Sequence, residues 1–258
     1  MALRRYQKIL IGTFSIVFVL LVWQFLSFFQ LVNPLVLPSP ESIAESFVRM
    51  LSAGTLLTDI GTSTARIFIG FTIAFLLAVP LGLFSGRNEV LRNFLKPWIQ
   101  LMQPIPGIAW VPFAFLLFGL SNNAAIFVIS IAAFFPIFIN VMNAVQRFDR
   151  DLINVARTLG ANDFQVLTKV LLPGILPDII TGSRVSVGFA WRAVVAAEMI
   201  GLPRGVGALL IEAKNTAQTD VVIASMVTLG VLMMLFDRVI FDALEKTVSR
   251  WKGAETEG

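Results

Sequence analysis

Arg66, Arg192 and Glu198 stand in stretches of chain that are otherwise apolar. A charge at the centre of a membrane helix costs on the order of 2.5–3.5 kcal/mol unless it faces protein or water, so each needs a reason to be there. A guanidinium is planar, permanently charged and suited to the oxygens of a small oxyanion; in that reading Arg66 and Arg192 guide an anion along a path. The alternative is internal pairing, either Arg192 with Glu198, about one and two-thirds turns further along a helix, or Arg66 with Asp59 or Glu198 across helices. Glu198 then reads as a structural partner or a gate rather than a proton donor. Gln100, Gln103, Ser130, Asn140 and Asn143 add uncharged polar groups in the same apolar surroundings, and most must face a bundle interior. Asn140 and Asn143, three apart, share one helix face, which suits a pathway wall or interhelical hydrogen bonds.

Other chemistry is excluded by what the sequence lacks. It has no cysteine and no histidine, so disulfides, thiolate chemistry, histidine metal ligands and a histidine base are absent. No stretch offers the glycine-flanked Lys-Ser/Thr pair that cradles nucleotide phosphates. The chain therefore cannot power anything alone, and an intramembrane enzyme would want a nucleophile–base pair.

The elements that position these residues must be membrane helices. Of 258 residues 57% are hydrophobic and 14% charged, with mean hydropathy +0.82, and a span needs roughly 20 apolar residues. The uncharged runs predict six spans at about 9–29, 58–84, 98–118, 124–145, 179–199 and 221–241. Gly119 to Asn123 supplies a turn that divides the third from the fourth. Pro97, Pro104, Pro106 and Pro112 make span three irregular, and irregular backbone at membrane depth is tolerated only where it is buried in protein or lines a cavity. Span three, with Gln103 and Trp110, is thus the first choice for lining a path. Arg4, Arg5 and Lys8 precede span one as they would a signal peptide, but its apolar run is too long and no small-residue cleavage site follows.

Lysine and arginine set the expected orientation: 13 lie in one set of tails and loops and 3 in the other, which places both termini and the 146–178 loop in the cytoplasm. This bias accounts for the net charge of +4, so no nucleic-acid partner is implied. On the opposite side, Ser39 and Pro40 start a helix whose Ile43, Phe47, Met50 and Leu51 share a face and lie on the membrane surface. Glycines 201, 205 and 207 break span five, and Leu209, Leu210 and Ala213 suggest a short half-inserted helix. Within the 146–178 loop, apolar spacing at Leu152, Val155, Ala156 and Leu159 stops at Gly160, a left-handed terminator. Asn162 with Gln165 then caps a second amphipathic helix that is expected to end at Pro173.

That loop, with Asn154-Val155-Ala156, Arg157, Gly160, Ala161 and Leu172-Pro173, resembles the EAA loop of permease subunits in bacterial ABC importers. Further motifs narrow the resemblance: Leu37-Pro38-Ser39-Pro40, Ser63-Thr64-Ala65-Arg66, Pro104-Ile105-Pro106, Ala109-Trp110-Val111-Pro112 and Val195 to Ile200 are similar to the branch that imports taurine, aliphatic sulfonates, nitrate or bicarbonate. Thr219-Asp220-Val221-Val222 and the Arg250-Trp251-Lys252-Gly253 tail look closer to the taurine and sulfonate members. Asn154 departs from the usual glutamate, which removes any role for a carboxylate there.

The resemblance implies an all-α polytopic permease of the type I ABC importer fold, one domain over 1–258, with Val155, Ala156, Arg157, Gly160, Ala161, Leu172 and Pro173 in the ATPase-coupling loop. It implies a translocation path drawing on Arg66, Gln103, Trp110, Asn140, Asn143, Arg192 and Glu198. It also implies partners: a second permease copy in a homodimer, two ATP-binding cassette subunits that hold the ATP and magnesium, a periplasmic or lipoprotein substrate-binding protein, and the bilayer of a bacterial inner membrane. No cofactor or metal is expected in this chain. The expected cargo is a small anion, taurine or another sulfonate before nitrate or bicarbonate. A stand-alone carrier or channel would want related halves or a repeated pore motif, and neither is present.

Overall fold

Small residues recur every four positions along the second apolar run, at Gly70, Ala74, Ala78, Gly82 and Gly86. On a helix that spacing makes a ridge without bulk. In the computed structural model, which describes residues 2–244, this ridge is the central contact of an all-helical bundle. The elements are α1 (Ala2–Phe28), α2 (Pro40–Ser52), α3 (Thr55–Arg87), α4 (Glu89–Met102), a 3-10 turn (Gly107–Trp110), α5 (Val111–Phe118), α6 (Asn122–Arg147), α7 (Arg150–Thr158), α8 (Asp163–Gln165), a π-helical stretch (Val166–Leu171), α9 (Leu172–Gly201), α10 (Val206–Asn215), α11 (Thr219–Phe236) and a second π-helical stretch (Asp237–Phe241).

A Cβ on Gly70, Gly82 or Gly86 of α3 would come within 2.5–2.9 Å of Ile129, Val141 or Val145 of α6. The register is constant, so α3 and α6 run parallel with backbones in close approach. Between helices in lipid, such packing takes the place of the hydrophobic effect. Helix α9 returns antiparallel on the other side of α6: Gly174 sits against Phe148, Gly182 against Asn140, and Gly201 against Leu120 and Phe115. The interior is correspondingly rich in alanine, with Ala125, Ala133, Ala190, Ala193 and Ala197 all buried around Val128, Ile129 and Trp191.

Four described helices are long and apolar enough to cross a membrane: Thr55–Arg87, Asn122–Arg147, Asp163–Gly201 and Thr219–Leu244. They contain the expected spans at 58–84, 124–145, 179–199 and 221–241, and α1 covers the first run, 9–29, up to Phe28. The expected span over 98–118, irregular by its prolines, is broken rather than continuous. Helix α4 and the Gly107–Phe118 segment meet at a 92° bend. Pro104 and Pro106 have no N–H to continue the helix ladder, so the chain stops at Met102 and restarts as a 3-10 turn with Pro112 in the first turn of α5.

The start of α2 is as the sequence reads: Ser39 Oγ accepts from Ser42 N at 3.2 Å, and Pro40 opens the helix; its Met50 and Ile43 pack against Leu56 of α3 and Val221 of α11. The 245–258 tail, with Lys246 and the Arg250-Trp251-Lys252-Gly253 motif, lies outside the described residues.

Candidate functional site

Ser63 and Arg66, one turn apart on α3, both point at Glu198 near the C-terminal end of α9. Arg66 Nη1 donates to Glu198 Oε1 at 2.8 Å and to the Arg204 carbonyl at 2.6 Å, while Nε and Nη2 donate to Asn122 Oδ1 at 2.9 and 2.7 Å. Ser63 Oγ lies 2.7 and 2.9 Å from the two carboxylate oxygens and accepts from Val206 N at 3.0 Å. Gly207 N donates to Glu198 Oε2 at 2.9 Å, and Gly205 N to Asp59 Oδ1 at 3.0 Å. The first N–H groups of α10, which no helix ladder can satisfy, thus end on three side chains from other helices. Glu198 is 1% exposed and Arg66 5%, so this knot ties α3, α6, α9 and α10 together out of water.

Of the two readings of Arg66, this is internal pairing, with Glu198 rather than Asp59 as the partner. The alternative that Arg192 pairs with Glu198 is not observed, since Glu198 is taken by Arg66. Six positions along a helix leave two side chains about 120° apart, and Arg192 is exposed, with its guanidinium over the Phe189 ring at 5.5 Å.

The remaining path residues converge elsewhere. Gln103, Trp110 and Asn140 line a cavity of about 340 Å³ between the α4–α5 bend, α6 and α9. Asn143 lines a second of about 310 Å³, shared with Gln103 and Ile139, which reaches Arg92, Lys96, Gln100 and Gln146. Arg66, Arg192 and Glu198 line neither. The bend that broke span three therefore forms a cavity wall, as irregular backbone at membrane depth requires. Ser130 instead bonds the Gly70 carbonyl across to α3 at 3.1 Å. Sequence reading missed Arg92 and Lys96, whose spacing of four with Gln100 was the available signal.

At the end of the bundle where α3 and α6 finish, the loop folds from its own local chemistry. Gly160 takes φ +88°, and Ala161 N donates to the Ala156 carbonyl at 3.0 Å while Gly160 N donates to that of Arg157 at 2.9 Å. This is a Schellman close of α7. Asn162 and Gln165 exchange side-chain to backbone bonds, both 2.9 Å, as a capping box, and Arg157 Nη2 reaches Asp163 at 2.9 Å. The predicted stop at Pro173 is not observed. The π-helical stretch, anchored by buried Val166 and Leu171, leads directly into α9 with Pro173 in its first turn and Leu172 half-buried. A π register change moves the hydrogen-bond ladder where proline would break it. The apolar stripe of α7 stays uncovered: Leu152, Val155 and Leu159 are exposed, Leu159 at 83%, and Phe164 beside them at 72%.

The chain matches the family described as binding-protein-dependent transport system inner membrane component over residues 78–252. It is 37% identical over 222 residues to an ABC transporter permease protein of Methanocaldococcus jannaschii, covering 84% of this chain and 83% of the relative. It is also 32% identical over 256 residues to the taurine transport system permease protein TauC of Escherichia coli, covering 97% and 92%. Further relatives are named as aliphatic sulfonates and nitrate permeases. Among solved structures, the inward-facing MetNI methionine ABC transporter superposes with a TM-score of 0.67 at 22% identity, over 75% of this chain and 96% of that one, which shows the fold. The permease relatives, matched over most of their length, show a membrane permease subunit rather than an enzyme. The chain belongs to the binding-protein-dependent transport system inner membrane component family, as an ABC importer permease.

Proposed function

We propose that this permease imports a small sulfonate, taurine foremost, received from a periplasmic binding protein and released into the cytoplasm. It crosses the membrane six times with both termini cytoplasmic, pairs with a second copy of itself, and is driven by two ATP-binding cassette subunits that carry ATP and magnesium. The observation that carries this reading is the uncovered apolar face of α7 and Phe164, locked by the Schellman turn and capping box at the bundle end that holds most of the loop lysines and arginines. An exposed apolar patch of this kind marks a docking surface, and the basic bias marks its side as cytoplasmic. Cargo identity rests on the extent of the match to the taurine relative.

The test is ATPase activity of the reconstituted complex with its binding protein, titrated with taurine, an alkanesulfonate, nitrate and bicarbonate. Stimulation by taurine or the alkanesulfonate is expected; stimulation by nitrate or bicarbonate alone would move the cargo to the other half of the branch.

A further inference from the structure

Helix α4 carries two opposed stripes. Val90, Phe94, Trp98 and Leu101 are all exposed on one side. Arg92, Lys96, Gln100 and Gln103 recur at helical spacing on the other and line the cavity of about 310 Å³, facing Asn143 and Gln146 of α6 across it. Among the described residues, no acidic side chain lines this cavity or the adjoining one. Glu89, the nearest carboxylate to Arg92, is 3.9 Å away and turned to solvent. Two cations set against a single solvent-facing carboxylate leave the cavity side of the stripe positive, which raises the local concentration of anions in a low-dielectric cleft, and the amides offer N–H donors that need no counter-charge. The intramembrane arginines meanwhile lie elsewhere, Arg66 bound into the knot and Arg192 outside both cavities.

We propose that Arg92 and Lys96, with the amides of Gln100, Gln103, Asn143 and Gln146, form a cationic vestibule that holds a small oxyanion at the α7 end of the path. This rests on reading the two cavities as the path. The positive stripe attracts the oxyanion over several ångströms, and the shared residue Gln103 passes it between the cavities. The vestibule is an attractive site rather than a tight one, because exposed charges are screened by salt.

The cysteine-free sequence makes a direct test possible. In membranes holding the assembled complex, Asn143→Cys places a single thiol of this chain in the vestibule. Its modification rate is measured with a sulfonate-bearing methanethiosulfonate and with the trimethylammonium analogue. Neutralising both cations (Arg92→Gln with Lys96→Gln) is expected to lower the anionic-to-cationic rate ratio at least about tenfold, as two unit charges within about 10 Å imply, and, in membrane fragments open on both sides, to leave the ratio nearly unchanged for Asn215→Cys, exposed at the end of α10 and away from the docking face. An unchanged ratio at position 143, or an equal fall at both positions, overturns the vestibule while leaving the path reading in place. Failure of either reagent to react at position 143, with normal reaction at 215, overturns the path reading itself.

Discussion

A Cβ at position 205 would lie 2.2 Å from the carboxyl carbon of Glu198. Gly205 also takes φ +125°, which side-chain-bearing residues rarely adopt. The break after α9 is thus shaped around the carboxylate that closes the knot.

Gly205→Ala is expected to destabilise the permease by at least about 1–3 kcal/mol from backbone strain alone, before any loss of the Glu198 contacts. Thermal unfolding of the purified complex in detergent checks this, with Gly230→Ala as the control, since a Cβ there meets nothing within 4 Å.

Removing one partner of the buried pair leaves an uncompensated charge and is expected to cost about 3–5 kcal/mol. Arg66→Gln and Glu198→Gln should each lower the unfolding temperature sharply, and the double variant should fall by less than the sum. The same cycle between Arg192 and Glu198 should show no coupling, because the structure separates them. Strong coupling there would mean that Glu198 faces Arg192 instead.

The α3–α6 contact depends on absent side chains. Gly82→Val forces a branched residue against Val141 and the Phe138 carbonyl, and overpacking of this kind costs typically about 1–3 kcal/mol. Reduced yield of folded protein is expected, whereas Gly61→Val, where a Cβ meets nothing within 4 Å, should be tolerated.

What the sequence revealed divides by the range of the interaction. Gly160, Asn162, Gln165, Ser39 and Pro40 were legible because each acts on backbone within a few residues. The cavity-lining amides were legible because a polar group in an apolar run must face the interior. Arg66 could be assigned to a pair but not to Asp59 or Glu198, since that choice depends on how α3 and α9 are rotated. The Arg192–Glu198 pairing failed on helix geometry alone. Pro173 misled because the π-helical stretch, set by where Val166 and Leu171 bury, absorbs the proline. Arg92 and Lys96 were counted as topology signals, and their face on α4 became visible only once the bend at Gln103–Pro106 turned that helix over the cavity.

Ala156→Asp and Gly160→Val should uncouple transport without blocking membrane insertion. A charge on the docking face opposes burial, and a β-branched residue at φ +88° strains the close of α7 by about 1 kcal/mol or more. Co-purification of the ATP-binding subunit measures this; normal recovery and normal transport by both variants would remove the docking assignment.

The central claim, that this chain is the membrane pathway of an ATP-driven anion importer, is met most directly by uptake into proteoliposomes containing the permease, its ATP-binding subunits and its binding protein. Accumulation of labelled taurine that requires ATP at the ATPase-facing side and the binding protein on the other, and that is lost in Ala156→Asp, is the predicted result. Taurine, sulfonate or nitrate uptake that proceeds without ATP or the binding protein would contradict it and make the chain a self-sufficient carrier.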